Sequence, residues 1–304
     1  MVQWGRRLAT GLVAIPAALQ LLASDTGMLV LASALCCLCL TEFSGTIAPP
    51  IVSRSASKTS PVHRALVVAS GAVACVAAAS GQKIVLGMTA NSVMFALFVL
   101  FLIGHLARAA VTQQPLEGLS LSAIVLRSLL LDLFALAFIT SGFAHAVLLR
   151  YSAGGYGLGL QILGLCCSWV CDTGALVFGS ALGSAKLAPT LSPGKTLVGA
   201  VAGIASSVAT MLALFATAHN VDVLEWLLPA SSTVPLSHQL MLGIVLGVLC
   251  ILGDLVESLM KRLAGVKDSG AFFPGHGGCL DRMDSFLLVA PCLYLYAQLH
   301  PLDQ

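Results

Sequence analysis

Apolar runs of about the length that crosses a bilayer, roughly 20 residues, alternate along this chain with short polar connections. About nine such runs can be read, at Leu8–Ala23, Gly27–Leu40, Ala65–Gly81, Ile84–Gly104, Leu129–Leu149, Leu158–Gly179, Leu197–Ala218, Gln239–Ser258 and Ser285–Leu299. In lipid every backbone polar group must be satisfied within its own segment, so these runs predict helices. The pattern therefore predicts an all-α, polytopic integral membrane protein with about nine transmembrane helices, folded as a single membrane domain over residues 1–304. No internal repeat or low-complexity stretch interrupts it.

Composition agrees, with 58% hydrophobic and only 9% charged residues and a mean hydropathy of +0.97. That leaves too little polar surface to cover a soluble core. The net charge of +2 is uninformative by itself, but its distribution sorts by side. With the N-terminus inside, all but Lys83 and Arg150 of the 15 Lys and Arg fall on the inner face. The same count puts Lys186–Thr196 and Lys261–Asp284, the two most polar motifs, on one face. Arg6 and Arg7 ahead of an apolar run also suit a signal peptide, but the membrane-rich remainder favours a retained helix. Most of the ten Cys lie in apolar runs without metal-ligand spacing and are expected to be small packing residues.

The chemistry concentrates in Ser258–Ser285, with four basic side chains, three Asp, one His and five Gly. Asp254, Ser258 and Lys261 follow at i, i+4 and i+7, so one helix face carries a carboxylate, a hydroxyl and an ammonium as it leaves the bilayer. Glu257 and Lys261 also form an ordinary i, i+4 pair. Beyond them, Gly275-His276-Gly277-Gly278 leads to Asp281-Arg282-Met283-Asp284 at the mouth of the last apolar run. Two Asp three residues apart at a helix start can cap it, or can hold Mg²⁺ together with Asp254. His276 can serve as a general base, a phosphate donor or a loop anchor. Lys and Arg neutralise phosphate and Gly admits it to the backbone, so the expected substrate is a phosphorylated molecule handled at a bilayer surface.

This run resembles the signature of the phosphatidate cytidylyltransferases, S-x-x-K-R-x4-K-D followed by H-G-G-x-x-D-R-x-D. Each fixed element is present, as Ser258, Lys261, Arg262, Lys267, Asp268, His276, Gly277, Gly278, Asp281, Arg282 and Asp284. Upstream, Asp172-Thr173-Gly174-Ala175 and Ser192-Pro193-Gly194-Lys195-Thr196 are similar to the family's D-x-x-A and S-P-x-K-T segments. Leu197-Val198 stands where the family often has Trp-Glu, and Leu176 where it often has Tyr. The resemblance implies transfer of the cytidylyl group of CTP to phosphatidic acid, at a lipid bilayer, without nucleic acid. It assigns Lys261, Arg262, Lys267, Asp268, His276 and Arg282 to catalysis. Ser258, Lys195, Thr196, Ser192, Gly277, Gly278 and Asp172 are expected to bind substrate, and Asp281 and Asp284, with Asp254 added from its helix spacing, to bind Mg²⁺, with a second cation and a homodimer left open. The active site is expected on the cytoplasmic face. A CTP-dependent lipid-alcohol kinase is the nearest alternative; an ion-coupled transporter, which intramembrane Asp residues also suit, is the more distant one.

Overall fold

A computed structural model describes residues 16, 18–52, 61–88, 119–220, 228, 234–273 and 277–300. Helix α1 (Asp25–Glu42) opens where the Ser24 hydroxyl accepts from the Gly27 amide at 3.0 Å, with Asp25 in the first turn. It widens into a π-turn over Phe43–Ile47 and ends as the short α2 (Ala48–Val52). Pro49 and Pro50 have no N–H to donate, so the regular helical ladder is broken where the widened turn sits. Helix α3 is Pro61–Ala78; α4 (Leu119–Phe134) passes through a second π-turn into α5 (Ser141–Ser152). Helix α6 (Gly157–Leu182) is followed by strands β1 (Lys186–Ala188) and β2 (Ser192–Thr196), then by α7 (Leu197–Asn220) and α8 (Leu236–Ala264). The short α9 (Leu280–Met283) leads into α10 (Phe286–Leu299).

Among the described residues six helical segments are long and apolar enough to cross a membrane, and α10 is a shorter apolar one. These seven account for seven of the nine predicted runs. Leu8–Ala23 and Ile84–Gly104 lie mostly outside the described residues. Gly27–Leu40, too short by itself, gains length because the π-turn carries the segment on to Val52. The antiparallel hairpin β1–β2, pairing Lys186 with Thr196, is an element the hydropathy pattern did not predict.

Helices α1, α3 and α5 pack together, as do α6, α7 and α8, and α10 joins the two groups by touching α5, α6 and α8. Small residues allow the helices to approach closely, as expected where lipid supplies no hydrophobic contrast. A Cβ on Gly203 would stand 3.0 Å from the Cys171 carbonyl oxygen, and one on Gly247 2.9 Å from the Ile204 Cα. Side chains on the outside are apolar: Leu176 is 72% and Val201 69% exposed, the condition of a lipid-facing surface.

Candidate active site

Helix α8 runs past the predicted Ser258 to Ala264 and ends at a glycine. Gly265 takes φ +72°, its amide reaches Arg262 O at 3.1 Å and the Val266 amide reaches Lys261 O at 3.0 Å, so a glycine closes the helix and releases the polar loop. One turn earlier Ser258 donates to Asp254 at 3.3 Å, and Asp254 meets Lys195 of β2 at 2.5 Å. Arg262 Nε donates to the Leu191 carbonyl in the hairpin turn at 3.0 Å. The two polar motifs that charge counting assigned to one face thus stand at one end of the bundle. Arg150, expected opposite, pairs with Asp25 at the start of α1 at 2.7 Å, the other end of that helix from Glu42.

A cavity of about 370 Å³ opens between α6, the hairpin, α7 and α8. Asp172, Ser192, Lys195 and Asp254 give its polar wall; Leu176 and Ile251 are among its apolar lining. Just beneath it, Ser285 donates to Asp172 at 3.1 Å, bringing the base of α10 against α6. Asp284 is buried, and its carbonyl meets Gly253 so closely that any side chain there would collide. Burial first, then the charges of Asp254 and Asp172, push the Asp284 carboxyl well above the usual carboxylate range.

Asp281 faces elsewhere. It accepts from Lys261 Nζ at 2.7 Å, from the Gly278 amide at 2.8 Å and from the Ser269 amide at 3.0 Å. Burial alone would raise its pKa; the hydrogen bond from Lys261 leads the opposing effects and holds it at about 2. Lys261 is shared with Glu257, 2.6 Å away, so the i, i+4 pair is present and this ammonium links α8 to the loop. Of the three Asp assigned to Mg²⁺, the structure brings Asp254 and Asp284 together with Asp172, while Asp281 ties the loop.

Thr196 is buried, and its hydroxyl accepts from the Gly199 amide at 3.1 Å, capping α7. Lys267, Asp268 and Arg282 are exposed beside the loop. Gly277 adopts φ +86°, and a Cβ there would stand 2.9 Å from Asp281 Oδ2, so glycine is required twice over. His276 lies outside the described residues. Sequence reasoning gave no role in the site to Ser285, Ser269 or Glu42. A lone carboxylate closing an apolar run was the available signal for Glu42.

Among the described residues no three His, Cys, Asp or Glu side chains form a ready-made metal site. The donors of Asp172, Asp254 and Asp284 nonetheless suit a hard divalent cation: all are oxygen, they repel one another, and Lys195 is the ammonium paired with Asp254.

A sequence model of the cytidylyltransferase family matches residues 5–300, nearly the whole chain. The chain belongs to the cytidylyltransferase family. Within it, a phosphatidate cytidylyltransferase of Staphylococcus haemolyticus is 40% identical over 162 residues, 53% of this chain and 56% of that protein. One from Staphylococcus saprophyticus is 38% identical over 161 residues, again 53% and 56%. One from Synechocystis is 39% identical over 143 residues, 47% of this chain and 44% of the relative. The chain spans about half the length of the curated relatives it matches.

Proposed function

We propose that this family member transfers the cytidylyl group of CTP to phosphatidic acid, producing CDP-diacylglycerol and pyrophosphate. The observation that carries the reading is the cavity that Asp172, Asp254 and Lys195 line side by side with Leu176 and Ile251. It offers phosphate-handling groups beside apolar surface, as a reaction between a lipid phosphate and a nucleotide requires. The names of the relatives agree with it.

Little acid–base work is needed, because a phosphate monoester is already largely ionised near neutral pH. Its oxygen attacks the α-phosphorus of CTP, the bond to the β-phosphate oxygen breaks, and pyrophosphate leaves with the electron pair. Positioning and charge neutralisation therefore dominate. Lys195 would receive phosphate oxygens, released from Asp254 as the substrates enter. Asp172, Asp254 and Asp284 would hold Mg²⁺, which when bound offsets the negative charge of the reacting phosphates. Lys267 and Arg282, beside the loop, extend the positive surface toward the nucleotide, and the Gly277-Gly278 turn lets the loop approach it.

The active site is proposed to face the cytoplasm, from the charge asymmetry of the loops. Purified protein supplied with Mg²⁺, phosphatidic acid and CTP labelled on either the α- or the γ-phosphate tests the reaction. α-Label in lipid with γ-label in pyrophosphate is expected; γ-label in lipid would make the protein a lipid kinase instead.

A further inference from the structure

Glu42 lies 227 residues before Ser269, the first loop residue it touches, at the end of a helix that also meets the loop where Cys39 Sγ lies 3.6 Å from Cys279 Sγ. Its carboxylate, half-buried at the end of α1, accepts from the Cys279 amide through Oε1 at 2.9 Å and from the Leu280 amide through Oε2 at 3.0 Å. The Ser269 hydroxyl donates to Oε2 at 3.2 Å. The same side chain therefore grips both the outgoing and the returning arm of the loop between Ser269 and Cys279. Gly270 and Gly278 make room for it: a Cβ on Gly278 would stand 2.6 Å from Oε2, and one on Gly270 would collide with Oε1. Asp281 crosslinks the same two arms from the opposite side, through the Ser269 and Gly278 amides.

We propose that Glu42 is a positioning residue: a carboxylate lent by α1 that fixes the loop and, through the short α9, sets where Asp284 stands against Asp254 and Asp172. A side chain serving only to anchor a helix in the interface would point to water or headgroups; this one is spent on two backbone amides and a hydroxyl. The link to Asp284 is direct, since the Asp284 amide donates to the Leu280 carbonyl at 3.0 Å and Leu280 is one of the residues Glu42 holds. The proposal rests on the cytidylyl-transfer reading for its catalytic consequence, and on the hydrogen bonds alone for the structural one.

The test uses the full chain in detergent, with Glu42→Gln as the near-isosteric variant and Asp25→Asn, a carboxylate removed from the far end of the same helix, as control. Amide exchange followed by mass spectrometry should rise about 10-fold or more across residues 279–280 in Glu42→Gln, the scale of losing charge-assisted hydrogen bonds. Exchange within α6 and α7 should not change. The Mg²⁺ concentration for half-maximal turnover should rise several-fold while the KM for phosphatidic acid stays the same, a split that loss of folded protein does not produce. Asp25→Asn should leave all these readouts as they were. Unchanged exchange at 279–280 in Glu42→Gln overturns the proposal; raised exchange with an unchanged Mg²⁺ requirement overturns its catalytic half. If the unmodified chain makes no CDP-diacylglycerol, the assigned reaction fails, and the exchange measurement alone decides whether Glu42 holds the loop.

Discussion

At the scale of single residues, five carboxylates and two lysines that read alike in the sequence divide into two groups. Asp172 and Asp254 line the cavity with Lys195, and Asp284 is buried near enough to feel both charges; Glu257 and Asp281 flank Lys261 and hold the loop to α8. The groups should fail differently. Asp254→Asn is expected to lower turnover about 100-fold or more by weakening the hold on a hard cation, with extra Mg²⁺ recovering part of the loss. Asp281→Asn is expected to cost stability, about 1–3 kcal/mol in detergent unfolding, because two amides and a half-buried ammonium lose the charge and one oxygen of the acceptor they share. Extra Mg²⁺ should not recover its activity. Equal recovery of both variants in a Mg²⁺ titration would remove the distinction. Lys195→Met should lower turnover about 30- to 1000-fold, the effect of losing about 2–4 kcal/mol of charge stabilisation in a water-poor site.

Among the elements, the β1–β2 hairpin is the least expected and carries much of the site. Arg262 ties its turn to α8, Lys195 projects from its second strand, and Thr196 ends that strand and caps α7. The Thr196 hydroxyl sits in a pocket of glycines: a Cβ on Gly179 or Gly199 would lie 3.0 Å from it. Thr196→Val keeps the shape but removes the cap, and should lower stability by about 1 kcal/mol. Thr196→Ser should retain it. Thermal unfolding of the two variants in one detergent checks this; equal midpoints would mean that the hydroxyl serves a substrate and not the helix.

For the whole molecule, the arrangement is of two helix groups joined by α10, with the cavity inside the α6–α8 group. Lys195 on the hairpin and Lys267 on the loop belong to segments linked by the Arg262 and Asp254 contacts, which predicts that both meet the same compartment. Cysteines placed at positions 195 and 267, in a background without accessible native thiols, should react with an impermeant reagent from one side only. The charge asymmetry predicts that side to be the cytoplasm. Labelling of the two from opposite sides would break the single site. Chelation of divalent ions should abolish turnover and restored Mg²⁺ should return it; full activity in chelator would leave the three carboxylates without their assigned role.

Hydropathy alone determined that the chain crosses a membrane several times and where most of its helices lie, because a bilayer imposes span length and backbone satisfaction on any sequence. Spacing alone placed Asp254, Ser258 and Lys261 on one helical face, and the Gly-rich run next to Asp281 and Asp284, because both patterns are local. Partner choice was not local. Whether Asp281 meets a cation or two amides, whether Thr196 meets a phosphate or its own helix, and that Glu42 reaches a loop more than two hundred residues away all depend on how helices from distant parts of the chain pack. A carboxylate accepts with equal chemistry from a metal, an ammonium or an N–H. Only the tertiary structure decides which of them it finds within about 3 Å.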